Sequence, residues 1–592
     1  MVTPNTLEVQ YGPDTKSSST LERHAATRGS HGIEFDLMSR ETGPTSPQEG
    51  PTSTPVASTQ ISNNNAGVHD RKGGLDNQTS RLPLRRLMSA CLCLAAIYFV
   101  STLDINSVAT ALPTISRPLN AGNSITWTGT AYLMGQTTFQ ALYGRLSDIF
   151  GRKPVLLVSI GCLIVGDVLC GFAKSITWLY VCRGLSGVGG GGISSLVQIT
   201  VSDLVSLKDR GKYQGMLSGA IGLGAGTGPF LAAAFVDGGK DNDDSWRWIC
   251  WVPPILAAAC LAAMWVLLRL KPVTGSWREN MAKIDWFGLC AVMIAVVFVL
   301  DPINSGGSIF PWHSALVISM LSIGGFFFIV FGIMEKRVAR IPMIPLHLFS
   351  QTSTAVIYLQ SALYNCVWQV DIYFLPIYFQ EVRGYSALQS ATLALPLFMV
   401  QSLAGVASGP IMSRLARYGP VLYFGMALWT LGAGLKILFS LDTSVPVYVI
   451  VLIIEGAGIG FVLQRALVGL QALSKPEDRA MATSTWNLMR MLGSVFGMAS
   501  STAIKYAATK ASLPSSMPAE LPSQVTDGTW QRGDPVFKEW ESDILSAEMH
   551  GIRIVFIMLA PLVGLCLLGC CFIPDTILKG DQKDDHRVRE ER

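Results

Sequence analysis

The sequence predicts an all-α protein that crosses a lipid bilayer many times. Three observations carry this. The 592 residues are 49% hydrophobic and only 15% charged, with mean hydropathy +0.39, beyond the range of an ordinary soluble domain. Apolar runs long enough for a membrane helix, about 20 residues, begin at residue 87 and recur almost to the end. The loops between them are basic in alternation, the pattern that orients membrane spans.

The elements follow in order. Residues 1–82 are rich in Ser, Thr, Gly, Pro and Asn and lack apolar periodicity, so a disordered tail is expected. They are too polar for a cleavable signal peptide, and the first span is expected to act as the insertion signal. "RLPLRR" (81–86) sets three arginines before that span, which favours the cytosolic side. Spans are read at 87–112, 126–146, 154–174, 177–201, 212–236 and 248–269, then at 285–302 and 314–334. Six more follow at 352–379, 387–412, 419–440, 446–470, 482–505 and 551–573, about fourteen in all. Alternate loops carry Arg145, Arg152 and Lys153; Lys208, Arg210 and Lys212; Arg269, Lys271, Arg278 and Lys283; Lys336, Arg337 and Arg340; Arg414 and Arg417. The loops between are poor in basic residues or acidic, such as "DGGKDNDD" (237–244). Both tails are therefore expected in the cytosol. The expected organisation is a tail (1–82), a six-helix half (83–270), two extra helices with linkers (271–345), a second six-helix half (346–575) with a large outside loop at 506–550, and a cytosolic tail (576–592).

Several function classes find no support. There is no zinc spacing, basic arm or aromatic-basic surface for nucleic acid. No G-x-x-x-x-G-K-[ST], no H-E-x-x-H and no G-x-S-x-G occurs, so neither an ATP-binding loop nor these hydrolytic centres are present. We expect no enzyme activity, no cofactor and no metal, with energy drawn from an ion gradient. The 12 cysteines fall in or beside apolar runs and read as small buried hydrophobes rather than a disulfide framework.

One internal repeat is visible. "GRLSDIFGRKP" (144–154) returns weakly as "GPIMSRLARYGP" (409–420), also between two spans. Gly409 aligns with Gly144, Ser413 with Asp148, Ala416 with Gly151 and Arg417 with Arg152. Two related halves are a transporter signature. Charges inside the bilayer are functional candidates, because burying them is costly. Asp104, in "STLDINSVATALP", could take and release a proton or hold neighbouring helices. Arg183, in "YVCRGLSGVGGGGI", needs a carboxylate or backbone partner. The G-x-G-x-x-G from Gly187 to Gly192 has no preceding strand, so it reads as close helix packing rather than a dinucleotide loop. Gly215, Gly219, Gly222, Gly224, Gly226 and Gly228 crowd the fifth span before Pro229, which suits a hinge or a sealed helix pair. In the second half Asp371 stands among Trp368, Tyr373, Phe374 and Tyr378; it could line a substrate cavity or sit at the wet membrane edge. Glu455 and Arg490 could pair with each other or line the cavity, and Gln464 and Gln471 could offer neutral hydrogen bonds.

These motifs resemble the major facilitator superfamily, in its fourteen-span drug:proton antiporter branch of fungal type, over residues 85–575. "GRLSDIFGRKP" resembles the superfamily's loop signature, "LDINSVATALPTI" its first-span signature (Asp104, Pro113), and "RGLSGVGGGGI" its fourth-span signature (Arg183, Gly184). "GAGTGP" (224–229) resembles the exporter motif of the fifth span, although Ala232 and Ala233 stand where a glycine pair usually closes it. "LPIYFQEVRGYSALQSA" and "RMLGSVFGMA" are typical of the branch's second half. The resemblance implies the major facilitator fold, two six-helix halves plus two central helices. It implies a gating latch at Gly144, Arg145, Asp148, Gly151, Arg152 and Lys153. There Asp148 would hold Arg152 and the facing end of a helix from the other half, in one state only. It further implies proton coupling through Asp104 and Arg183 and an exporter helix at Gly224, Gly228 and Pro229. Asp371 matches no signature of the family; the residues themselves lead us to expect a substrate cavity drawing on Asp371, Trp368, Glu455, Gln464 and Arg490.

The expected function is proton-coupled export of a drug, toxin or secondary metabolite by alternating access. The expected setting is a monomer in the plasma membrane, or else the vacuolar membrane. A vacuolar basic amino acid or siderophore carrier, and a transporter-like nutrient sensor, are the alternatives.

Overall fold

A computed structural model describes residues 83–116, 118–119, 125, 127–238, 245–268, 270, 285–305, 311–337, 344, 346–518, 521–526, 530, 537–575 and 577–578. The two predicted tails lie almost wholly outside these residues. Among the described residues are fourteen long helices, at the positions of the fourteen spans. The first half contains α1 (Leu84–Ser116), α2 (Trp127–Phe150), α3 (Arg152–Gly171), α4 (Ile176–Leu204), α5 (Arg210–Gly238) and α6 (Arg247–Leu267). The extra pair is α7 (Trp286–Ser305) and α8 (Ala315–Arg337). The second half contains α9 (Thr352–Ile377), α10 (Ala387–Leu415), α11 (Gly419–Leu435), α12 (Val445–Leu473), α13 (Arg479–Ser512) and α14 (Glu541–Gly569). No β-strand occurs among the described residues, only an isolated bridge between Arg417 and Ile577.

Nine of the fourteen are apolar and long enough to cross a bilayer by length and composition alone. The other five are α2, α4, α5, α9 and α13. Their polar and glycine content has a reason: these helices meet other helices on most sides. Arg183, Ser186, Ser194, Ser195 and Gln198 of α4 are all buried, as are Thr483, Ser484, Asn487 and Arg490 of α13. The apolar surface lies instead on the outside, with Leu92, Val158, Trp265, Phe287, Phe326 and Leu403 exposed, as expected where lipid is the solvent. This also corrects the reading of the cysteines. Most are buried, but Cys290 and Cys571 are exposed, because a membrane bundle is apolar on its outer face too.

The packing repeats between halves. In the first half α1 packs on α5 and α6, and α4 lies between α2 and α3. In the second, α9 packs on α13 and α14, and α12 lies between α10 and α11. The halves meet where α5 lies along α10 and α2 along α13. The extra helix α7 packs on α8 and also touches α2 and α13, with Leu289 beside Leu142 and Ile149. The glycines of α5 explain its place. A Cβ on Gly224 would stand 2.8 Å from Phe99 O of α1, whereas one on Gly215 would stand 2.8 Å from Gly405 O of α10. The helix is thus wedged between α1 and α10, with Pro229 inside it.

Both ends of the segment 506–550 are helical. α13 continues to Ser512 and α14 begins at Glu541. Hydropathy ends at Lys505, but "KYAATKAS" keeps good helix formers. The start of α14 buries Ile544 in a small cluster with Met517, Val525 and Phe537.

Gly151, between α2 and α3, has φ 95°, and Ala416, its partner in the repeat, has φ 50°. The two positions share a positive φ but not ψ, which is 151° at Gly151 and 26° at Ala416. A side chain at φ and ψ of 95° and 151° is strained. Gly151→Ala is expected to cost about 1–3 kcal/mol, whereas Ala416→Gly is expected to be neutral or stabilising, since glycine takes a left-handed conformation freely. Thermal unfolding of the purified variants in one detergent checks both.

Candidate functional site

Three polar clusters lie inside this apolar bundle. The first joins α1, α3 and α4. Arg183 Nη1 donates to Asp104 Oδ1 at 3.0 Å, to its Oδ2 at 3.1 Å and to Asp167 Oδ1 at 3.2 Å. Ser186 Oγ donates to Asp167 Oδ1 at 2.6 Å. The Tyr132 ring lies 4.7 Å from the guanidinium, a cation–π contact that suits a desolvated arginine. Both acids are 0% exposed. Fully ionised, the cluster carries one excess negative charge, which one proton neutralises.

The second cluster joins α9, α11 and α12. Lys436, just past the end of α11, contacts Asp371 of α9 and lies 2.7 Å from Glu455 of α12. All three are 0% exposed. Asp371 is therefore interior, which corrects the reading of a wet membrane edge. Glu455 and Arg490 do not pair either. Counted from the α12–α13 turn at about 1.5 Å per residue, Glu455 lies roughly 10 Å deeper than Arg490, and Lys436 takes the carboxylate instead.

The third cluster bridges the halves. Gln198 of α4 donates to Tyr98 Oη of α1 at 3.1 Å. Asn487 of α13 donates to Gln198 Oε1 at 2.9 Å. Arg490 of α13 donates through Nε and Nη2 to Asn365 Oδ1 of α9 at 3.1 and 3.0 Å. The Trp486 ring lies 4.7 Å from its guanidinium. Among the described residues no carboxylate lies within ion-pair distance of Arg490, so a full positive charge stands among neutral amides. Trp368 Nε1 reaches Gln401 Oε1 at 3.4 Å. Gln464 is buried on α12, and no contact with Arg490 joins it to this cluster.

The residues of the expected latch sit where α2 passes into α3. Arg152 Nη1 meets Asp148 Oδ1 at 2.6 Å, its Nε meets Asp203 Oδ2 of α4 at 2.9 Å, and Arg145 lies 3.9 Å from Asp148. Lys153 Nζ donates to Trp265 O at 2.8 Å. Gly144 faces the other half: a Cβ there would stand 3.0 Å from Ala480 O and from Ser484 Cβ of α13. Its repeat partner Gly409 faces α5, with Lys212 Cα at 2.9 Å. Arg465 of α12 adds a tie, donating to Gly211 O at 2.7 Å. Arg210 of α5 reaches Gln471 at 3.4 Å. Both halves are thus held together at this end.

Residues 94–498 match the family described as Major Facilitator Superfamily. The chain belongs to the major facilitator superfamily. It is 37% identical to citrate exporter 1 of Yarrowia lipolytica over 564 residues, 94% of this chain and 82% of that protein. It is 34% identical to the MFS-type transporter clz4 of Cochliobolus lunatus, over 84% of this chain and 87% of that one. The efflux pump FUS6 of Gibberella fujikuroi is 28% identical over 83% of this chain and 90% of its own length. Among solved structures, the proton:xylose symporter XylE shares the fold at TM-score 0.55 and 13% identity, over 84% of this chain and 98% of that one.

This major facilitator chain is a multi-pass membrane transporter and not an enzyme. The motifs read in the sequence include Asp104, Arg183 and the loop at 144–153. They do not include Asp167, Lys436, Asn365, Asn487 or Arg465, which sequence reasoning passed over. For Asp167 in "CLIVGDVLCG" and Lys436 in "LGAGLKILFSL" the signal was present, a single charge with apolar residues on both sides. The amides gave none, since neutral polar residues are common on helix faces.

Proposed function

We propose that this transporter exports a carboxylate-bearing organic anion across the plasma membrane, driven by protons moving inward. The observation that carries the substrate class is Arg490. A buried cation with no acidic partner among the described residues needs an anion or stays poorly compensated, and it stands beside the junction of the halves, where alternating access exposes a site to each side in turn. A guanidinium reads a carboxylate through paired hydrogen bonds. The relative named as a citrate exporter is in keeping with this, and the relatives named as efflux pumps are in keeping with the outward direction. The Asp104–Arg183–Asp167 cluster supplies a place for the coupling proton. Loop charge supports cytosolic tails, which puts the latch end in the cytosol and makes the closed latch an outward-directed state. Drugs and toxins without an acidic group would rely on Trp486 and apolar contacts instead, a second reading supported by the ring stacked beside Arg490.

The test uses full-length protein in liposomes with an imposed pH gradient. Labelled citrate, a monocarboxylate and a cationic dye are compared. Gradient-driven movement of an organic acid is expected, and Arg490→Gln is expected to reduce it at least about tenfold, the loss of one charge-assisted contact of about 1.5–3 kcal/mol. Dye movement insensitive to Arg490→Gln, with no acid moved, overturns the substrate class.

A further inference from the structure

The two buried charge clusters occupy matching places in the two halves. By chain order α9 corresponds to α1, α11 to α3 and α12 to α4. Asp371 lies late in α9 as Asp104 lies late in α1. Lys436 stands at the end of α11 as Asp167 stands near the end of α3. Glu455 lies in the first half of α12 as Arg183 lies in the first half of α4. Each cluster holds two carboxylates and one cation, but the cation has changed helix. The first half places its arginine on α4, and the second places its lysine after α11.

The chemistry of the second cluster is distinctive. Lys436 bridges both acids, so the carboxyl groups of Asp371 and Glu455 are in contact with the same ammonium. Asp371 Oδ2 and Glu455 Oε2 are buried with no donor among the described residues, as is Asp167 Oδ2 in the first cluster. Two carboxylates in such contact repel unless a proton lies between them. The other groups facing this site cannot supply it. α14 offers the Phe556 ring, 5.5 Å from Lys436, Gly432 of α11 packs on the Glu455 stem, and α9 adds the Cys366 thiol within electrostatic reach of Asp371. Further along, α14 carries Arg553, which donates to Phe439 O at 3.1 Å, and Lys505 of α13 pairs with Glu381 and Glu548 at 3.0 and 2.8 Å.

We infer that Asp371, Glu455 and Lys436 form a second proton-binding site, the counterpart in the C-terminal half of Asp104, Asp167 and Arg183. The proton is shared between the two carboxyls and leaves one excess charge when released. The chain therefore binds two such protons, one in each half. The role of this proton in transport rests on the proton coupling proposed above, whereas its binding does not.

The test needs no transported substrate, so its failure is separate from a failure of that coupling. Full-length protein in lipid is titrated with acid and followed by infrared difference spectroscopy at the carbonyl stretch of protonated carboxylic acids. Glu455→Gln leaves a neutral Asp371–Lys436 pair and is expected to lose one proton per chain. Asp167→Asn is expected to lose a second, separate one, and the double variant both. Glu455→Asp, which keeps an acid, is expected to retain the signal. Asp371→Asn removes the other acid and gives the same reading if Glu455→Gln does not fold. A spectrum unchanged by Glu455→Gln or by Asp371→Asn means that the cluster stays fully charged, and overturns the inference.

Discussion

Arg183→Met will yield a transporter that is strongly destabilised and inactive. The guanidinium is the only cation shared by Asp104 and Asp167 among the described residues, and all three groups are buried. Removing one partner of a buried ion pair costs about 3–5 kcal/mol, because the remaining charge is left without compensation. Here two acids are left, and each must take a proton or stay charged in an apolar interior. Methionine fills much of the arginine stem, so the loss is electrostatic more than steric. The compensated variant separates stability from function. Adding Asp104→Asn and Asp167→Asn to Arg183→Met removes every charge, and is expected to recover most of the melting temperature in detergent while transport in liposomes stays absent. Equal melting of Arg183→Met and the wild type would contradict this account.

The parts of the structure that local rules govern were legible beforehand. Nine of the fourteen helices announce themselves by apolar length and composition alone, and at the equivalent positions of the repeat Gly151 and Ala416 share a positive φ. What was not legible is partnership. That Arg183 needs an acid follows from its burial; that it holds two, one of them Asp167, depends on how α1, α3 and α4 meet. Glu455 and Arg490 made a plausible pair by charge, but helix depth separates them and Lys436 intervenes. Lys436 was easy to pass over because a lysine at a span's end ordinarily snorkels to water, and here the helix end is itself buried. The helical ends of the segment 506–550 were not legible either. Hydropathy marks the lipid boundary, whereas α13 and α14 continue past it with polar faces.

Gly144→Val and Gly409→Val will each hold the protein open at the latch end. Gly144 of α2 lies against α13 and Gly409 of α10 against α5, so the two glycines of the repeat mark the two crossing seams between the halves. At either seam the neighbouring atoms include backbone, Ala480 O at 3.0 Å from a Cβ on Gly144 and Gly211 O at 2.6 Å from one on Gly409. Backbone cannot move aside as a side-chain tip can, so the added volume must part the helices. The state in which this end is closed is penalised and its opposite is not. A bias of about 1.4 kcal/mol shifts such an equilibrium tenfold, and a branched side chain in a closed seam exceeds that, since overpacking costs about 1–3 kcal/mol. Transport should fall at least about tenfold, with the fold kept, because each half retains its own core. Amide hydrogen exchange in the first turns of α13, where Ala480 and Ser484 now cover the seam, should rise in both variants, since an opened seam admits water. The ion pairs of Arg152 with Asp148 and Asp203 lie within the first half and brace α2 and α4 against each other. Asp148→Asn should therefore loosen α2 while producing less opening than either glycine variant. If the loop is merely a basic topological signal, both valine variants will exchange and transport like the wild type.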